Sequence, residues 1–160
     1  MDGPAILHVL TNLVHPRALL PPDPAIVFLR ALWALDHTLQ SHSKRMKSAI
    51  GVTGPQRLVI RMVALKPGIS PSELARTLHF HKSTVTIILR SLERARLVKR
   101  SKSTVDGRSI TLRLTEKGAR IARRKRGTVE AVVRTVLSRT SGSDIEITRR
   151  LLESLARAFA

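Results

Sequence analysis

The chain has 160 residues, of which 42% are apolar, and this suits one small domain with extensions and a hydrophobic core of its own. Lysine and arginine number 29 against 11 acidic residues, so the formal net charge at pH 7 is +18. Such a charge attracts polyanions and makes nucleic acid the leading partner, although scattered charges also make ordinary solvated surfaces. The sequence contains no cysteine, which excludes disulfides, thiolate catalysis and cysteine-based redox sensing.

Residues 1–23 are interpreted as an N-terminal arm that ends in LLPPDP, where successive prolines forbid a continuous helix. The apolar residues of AILHVLTNLV fall at helical spacing, which favours a short helix lying on another subunit, with a disordered segment as the alternative. This run has no positively charged leader and is too short to span a bilayer. We therefore expect a cytoplasmic protein without a membrane segment.

A long helix is predicted over residues 24–50, and it is followed by two sequence patterns that each open a shorter helix. Thr53 with Gln56, and Ser70 with Glu73, place a hydroxyl at the cap and Gln or Glu at the third helical position, as in a capping box. The long helix carries an apolar stripe at Ile26, Leu29, Trp33 and Leu39.

A further helix begins at Lys82, and two short strands are predicted at 97–101 and 109–114 because their residues alternate or are β-branched. Thr115 then caps a long helix that is expected to continue to about Arg139. A third capping box, formed by Ser143 and Glu146, is predicted to open the last helix. That helix carries the apolar residues Ile147, Leu151, Leu152, Leu155 and Phe159.

This order predicts a mainly α-helical fold with a small β-hairpin wing, which is a winged helix-turn-helix lobe flanked by helices. The flanking helices have little to pack on within one small lobe, so pairing with a second chain would bury their apolar stripes. The predicted parts are an N-terminal arm (1–23), a first dimerisation helix (24–50), a winged helix-turn-helix DNA-binding lobe (51–115) and C-terminal dimerisation helices (116–160).

The helix from Lys82 has two chemically different faces when it is turned by about 100° per residue. One face is apolar and predicted to be buried, and it consists of Val85, Ile88, Leu89 and Leu92. The residues predicted to face a DNA major groove are Ser83, Thr86, Ile87, Arg90 and Arg94. Lys82 and Thr84, in the first turn, are predicted to bind phosphate, although a first turn rich in hydroxyls is also a capping preference.

The predicted wing has Asp106 and Arg108 at its tip, with Gly107 between them. A hairpin beside a groove-bound helix can reach the neighbouring minor groove, whose negative potential favours an inserted arginine. In this hypothesis Arg108 inserts and Asp106 holds its side chain extended. The alternative is that Asp106 and Gly107 form an ordinary hairpin turn.

Residues 54–118 strongly resemble the MarR family of bacterial transcription regulators. The resemblance rests on PSELA, KSTVT, LER shortly before LVKR, and above all DGR followed by LTEKG. It implies a homodimer on a pseudo-palindromic operator of double-stranded DNA, with a recognition helix in each major groove and the wing arginine in the minor groove. It also implies a small aromatic acid or similar effector that releases the protein from DNA.

Three positions depart from the family pattern. The family commonly has Arg where this chain has Ile87, so the operator sequence is expected to differ. His81 stands where Asp or Ser is usual, which predicts a weaker helix cap. Arg96 replaces the usual Gly, the residue best suited to a left-handed helix end.

Other constellations give less specific predictions. The six histidines form no evident ligand set, and we expect no metal, no cofactor and no catalysis. The basic run RIARRKRG either contacts flanking phosphates or forms a solvated face. Trp33 is either a core residue or part of an effector pocket. The predicted effector contacts are Arg30, Trp33, His37 and Arg57.

The sequence therefore predicts a dimeric, ligand-responsive repressor that binds specific DNA sites. The alternative is a nucleoid-associated architectural protein that binds DNA with little sequence preference. It is motivated by the net charge and by the missing arginine at Ile87.

Overall fold

The computed structural model describes residues 23–102 and 109–159. Predictions for the rest of the N-terminal arm and for Asp106 and Arg108 lie outside these described residues. Within them, the chain forms α1 (Pro24–Ile50), α2 (Gly54–Leu65), α3 (Pro71–Leu78), α4 (Lys82–Arg94), β1 (Val98–Lys102), β2 (Ile110–Leu114), α5 (Glu116–Arg123), α6 (Val129–Leu137) and α7 (Gly142–Ala158). None of these helices is long and apolar enough to cross a membrane.

The chain divides into two compact units, residues 1–36 and 37–160. The described part of the first unit is the beginning of α1, where the predicted apolar stripe exists but is not covered. Ile26 is 53% exposed and Trp33 is 66% exposed. The interpretation of Trp33 as a core residue is therefore wrong for the single chain.

The hydrophobic core belongs to the second unit and lies where α2, α3, α4 and β2 meet. Val59 and Ile60 lie four and three positions before Val63 on α2, which places all three on one helix face, and none is more than 1% exposed. Leu112 of β2 and Met46 near the end of α1 are buried in the same cluster. This core supports α4 from one side.

The first predicted capping box is confirmed, and the second is half formed. The Thr53 backbone N–H donates to Gln56 Oε1 at 3.0 Å, and the Gln56 N–H donates to Thr53 Oγ1 at 3.4 Å. Ser70 Oγ accepts from the Glu73 N–H at 3.2 Å. The Glu73 carboxylate, however, accepts a hydrogen bond from Lys66, which lowers the pKa of Glu73.

The two predicted strands are confirmed within one residue at their starts, and they pair antiparallel with Arg100 opposite Leu112. The loop before α3 adds two further hydrogen bonds to β2. The Gly68 N–H donates to the Leu112 carbonyl at 2.9 Å, and the Leu112 N–H donates to the Ile69 carbonyl at 3.0 Å. The hairpin is thereby fixed to the helical core at its central residue.

The prediction of one long helix from Thr115 to about Arg139 is wrong. Thr115 does cap α5, but the helix ends at Arg123, and α6 starts afresh at Val129. Gly127 has a positive φ of 69°, which interrupts a right-handed helix. Thr128 then caps α6 by accepting from the Ala131 N–H at 3.3 Å.

The predicted cap of the last helix is also wrong by two residues. The N-cap of α7 is Ser141, whose Oγ accepts from the Asp144 N–H at 3.1 Å. The Glu146 side chain does not accept a hydrogen bond from the backbone N–H of Ser143, as the predicted capping box would require. Hydrogen bonds from Arg149 and Arg150 hold its carboxylate, and they lower the pKa of Glu146 to about 2.

Replacing Gly118 with Ala should destabilise the fold, because a Cβ on this residue of α5 would overlap the backbone carbonyl of Leu97. Relieving such an overlap requires a backbone shift, which costs about 1–3 kcal/mol of unfolding free energy. Gly142→Ala is the matched control, since a Cβ there meets nothing within 4 Å. Urea unfolding of the two variants checks the prediction, and equal midpoints would contradict it.

Candidate nucleic-acid interface

The two predicted faces of α4 are confirmed. The apolar face is buried in the core and consists of Val85, Ile88, Leu89 and Leu92. All seven predicted DNA-facing residues on this helix are exposed, namely Lys82, Ser83, Thr84, Thr86, Ile87, Arg90 and Arg94. Ile87 is 68% exposed, an apolar group that the chain itself leaves uncovered. The arrangement presents hydroxyls, one aliphatic group and cations together on one side of a helix.

The N-terminus of α4 lacks a side-chain cap, as the presence of His81 predicts. His81 occupies the N-cap position and makes no capping hydrogen bond. The first amides of the helix therefore remain for another acceptor, and they lie at the positive end of the helix dipole. A phosphate oxygen is a suitable acceptor at such a terminus.

Both ends of α4 are set by residues in the left-handed region that are not glycine. His79, between α3 and α4, has φ 52°, and Arg96, after α4, has φ 56°. The Leu97 N–H returns to the Leu92 carbonyl at 2.9 Å and closes the C-terminal turn. The departure at Arg96 thus keeps the backbone that glycine would adopt, at a cost of about 1–2 kcal/mol.

Two polar contacts join α4 to its neighbours, and the sequence analysis missed both as positioning contacts. Gln56 Nε2 on α2 donates to Ser91 Oγ at 2.8 Å. Arg100 Nε on β1 donates to Glu93 Oε1 at 2.6 Å. These contacts hold the helix against α2 and against the strand that leads to the wing. No local pattern pairs these residues, which are 35 and 7 positions apart.

The wing residues Asp106 and Arg108 lie outside the described residues, so insertion of Arg108 into the minor groove stays a prediction. The strands on either side of them are described, with β1 ending at Lys102 and β2 starting at Ile110.

Arg57, a predicted effector contact, is 2% exposed, and its guanidinium is bonded to protein groups. Its Nη2 donates to the Arg124 carbonyl at 2.6 Å and its Nη1 to the Ile121 carbonyl. Its Nε donates to Glu130 Oε1 at 2.6 Å. Arg57 therefore fastens the segment between α5 and α6 to α2, a role that the sequence analysis missed.

Glu130 completes this contact as a carboxylate. Partial burial acts to raise its pKa, but the hydrogen bond and the positive charge of Arg57 prevail, and the pKa of Glu130 is lowered. The ion pair therefore persists at neutral pH.

The other predicted effector contacts, Arg30, Trp33 and His37, are exposed on α1. The effector assignment of these residues and of Arg57 stays a prediction. In the two described ranges, no three His, Cys, Asp or Glu side chains are grouped so that they could hold a metal ion.

An exposed polar face on a helix that follows a tight turn and precedes a two-stranded hairpin defines a winged helix-turn-helix protein. A model of the MarR family matches residues 50–109. The HTH-type transcriptional repressor Rv2887 of Mycobacterium tuberculosis is 32% identical over 124 residues, which is 78% of this chain and 89% of that protein. The chain belongs to the MarR family.

Further similarities agree with this assignment. The transcriptional regulator HosA of Escherichia coli is 28% identical over 81% of this chain and 96% of its own length. A crystal structure of the Staphylococcus aureus MepR–DNA complex matches with a TM-score of 0.68 at 18% identity, over 83% of this chain and 98% of that chain. The structure of Rv2887 with salicylic acid matches with a TM-score of 0.54 at 31% identity, over 84% and 98% of the two chains.

Replacing Arg57 with Met is expected to lower the free energy of unfolding by about 3 kcal/mol, because buried carbonyls and a paired carboxylate lose their donor. Arg61→Met is the matched control one turn further along α2, where Arg61 is half-buried and donates to the Ala122 carbonyl at 3.2 Å. The Arg61→Met variant should lose only about 1 kcal/mol of unfolding free energy. Equal losses of the two variants in chemical unfolding would show that the contacts of Arg57 stabilise the fold no more than the single hydrogen bond of Arg61 does.

The loss of unfolding free energy in Arg57→Met is expected to depend on pH. Since the folded-state pKa of Glu130 is lowered, its contribution is present above the unfolded glutamate pKa of ~4.3 and is lost as the pH falls through the folded-state value. The difference between the wild type and Arg57→Met should therefore shrink in acid.

Proposed function

We propose that this chain is a homodimeric repressor that binds a pseudo-palindromic site in double-stranded DNA and releases it when a small ligand binds. The observation that carries the proposal is the outward face of α4, where hydroxyls, Ile87 and two arginines are exposed opposite a fully buried apolar face. Hydroxyl and guanidinium groups hydrogen-bond to base edges in the major groove, and an aliphatic group contacts a thymine methyl.

The proposed contacts divide into those that position the protein and those that select the sequence. Lys82 and Thr84 lie at the uncapped start of α4 and are assigned to phosphate. Ser83, Thr86 and Ile87 are assigned to bases, and Arg90 and Arg94 lie further along the same exposed face. Arg108 of the wing is assigned to the minor groove, with Asp106 restraining it.

Exposed apolar side chains on the C-terminal helices support a homodimer. On α6, Val132 is 54% exposed and Val136 is 59% exposed, and on α7 Ile147 is 64% exposed. These side chains recur at helical spacing, so they form faces rather than isolated positions. A second copy of the chain would bury such faces symmetrically.

The ligand is proposed to be a small aromatic acid, since the related repressor Rv2887 has been crystallised with salicylic acid. Arg30, Trp33 and His37, which are exposed on α1, are the proposed contacts. Arg57, the fourth predicted contact, is 2% exposed and bonded to protein groups, so it is not proposed as a ligand contact. We further propose that the protein acts in the cytoplasm, where the chromosome lies, and that it has no catalytic activity.

Selection of bound fragments from the source genome, with and without aromatic acids, tests the function. We expect a two-fold symmetric site whose half-sites lie about one helical turn apart, and weaker recovery in the presence of the effective acid. Uniform recovery of all sequences would overturn the repressor proposal. It would favour the architectural protein that the net charge and Ile87 also suggest.

Replacing Arg108 with Ala should weaken binding to the selected site by roughly 10- to 100-fold, as loss of a specific groove contact does. Asp106→Ala should cost no more than about fivefold, because an exposed ion pair contributes at most ~1 kcal/mol. Arg139→Ala, an exposed arginine after α6, controls for the loss of one positive charge. Equal affinities of wild type and Arg108→Ala in gel-shift titrations would refute insertion.

A further inference from the structure

A cavity of about 340 Å³ lies beside α2, where α5 ends and α6 begins. Its lining is dominated by basic side chains and contains one acidic residue and one alanine. The lining residues are Arg57, Arg61, Ala122, Arg123, Arg124, Lys125, Glu130 and Arg134. The cavity is separate from α4 and from the hairpin.

The acidic residue of the cavity is already neutralised. Glu130 is paired with Arg57 at 2.6 Å, and its lowered pKa keeps it ionised in that pair. This leaves five basic side chains around the cavity. Within residues 23–102 and 109–159, none of the ion pairs involves any of those five.

The backbone explains why these cations meet at one place. Arg57 holds the carbonyls at the end of α5, which keeps the Arg123–Lys125 segment against α2. Gly127 then turns the chain, so that α6 starts beside the same segment and brings Arg134 to the cavity. Like charges gathered around one cavity repel one another, and a bound anion would reduce that repulsion.

We propose that this cavity binds a small phosphate-bearing anion with at least two negative charges. Guanidinium groups recognise phosphate oxygens through paired hydrogen bonds, and four of the five available cations are arginines. A singly charged anion would leave most of these cations uncompensated. An aromatic acid would also need an apolar wall, whereas Ala122 is the one apolar residue in the lining.

The geometry favours a free ion over a DNA backbone phosphate. Three of the cations come from different helices around one cavity: Arg61 is half-buried on α2, and Arg123 and Arg134 are exposed on α5 and α6. They therefore surround a concave site and do not form one flat row. A bound phosphate group would bridge α2 to the start of α6. This site requires only the protein itself and is independent of the proposed repressor function.

Titration calorimetry with inorganic pyrophosphate at constant ionic strength tests the site. The test variant is Arg123→Gln with Arg134→Gln, and the control is Arg139→Gln with Arg157→Gln, two exposed arginines outside the cavity that carry the same total charge. We expect saturable binding to the wild type, a dissociation constant raised ~10-fold or more in the cavity variant, and a change of less than about twofold in the control. Thermal unfolding of both variants verifies that they fold, and Lys125→Gln should give a smaller loss in the same direction.

Three results would overturn the site. The first is no saturable pyrophosphate binding by the wild type, and the second is equal weakening in the two double variants, which would mean a general charge effect. The third is loss of DNA binding specific to the cavity variant without any pyrophosphate binding, which would make the cavity a DNA contact. Failure to find an operator would overturn the proposed function and leave the calorimetric result unchanged.

Discussion

The burial of one face of α4 is the constraint on which the candidate interface depends. Val85, Leu89 and Leu92 are each 1% exposed, and burying such side chains contributes about 1.5–3 kcal/mol apiece. Turning the helix by one residue would expose part of this face and force Arg90 or Thr86 toward the core. The apolar pattern therefore fixes which polar side chains face outward, and the contacts through Gln56 and Glu93 only refine that orientation.

The ends of α4 are fixed by a different kind of constraint. Both His79 and Arg96 adopt left-handed backbone angles that cost a side-chain-bearing residue about 1–2 kcal/mol. The cost is offset because the turns that follow place Phe80 and Leu97 for hydrogen bonds back to Ala75 and Leu92, both at distances near 3 Å. The helix thus starts and stops abruptly, and its exposed face is confined to about three and a half turns.

Features that depend on local spacing could be predicted from the sequence. The two faces of α4 follow from the 3.6-residue period, and the Thr53 cap follows from its distance to Gln56. The cap of α7 could not be chosen locally, because Ser141 and Ser143 both precede an acidic residue by three positions. The outcome depends on Glu146, which is held by two arginines one turn further on and is not free to return to a cap.

Features that depend on distant partners could not be predicted. Arg57 binds carbonyls and a carboxylate 64 to 73 positions away, and nothing in its own helix distinguishes it from Arg61. The break between α5 and α6 does have a local signal, since Gly127 followed by Thr128 is a glycine next to a capping residue. The charged run before it has good helix propensity and favours the opposite prediction of one continuous helix.

The distribution of charge links the fold to its proposed partners. The carboxylates of Glu73, Glu93, Glu130 and Glu146 are each paired with Lys or Arg inside the described chain. The pairs of Glu73, Glu93 and Glu130 join different parts of the fold, whereas that of Glu146 lies within α7. The scarce acids therefore position the helices and the hairpin and do not neutralise the outward face of α4 or the cavity between α5 and α6. A chain with so few acids leaves most of its basic side chains without a carboxylate partner, and several of them lie at these two places. The convex exposed face of α4 suits a DNA duplex, and the concave cavity between α5 and α6 suits a small anion.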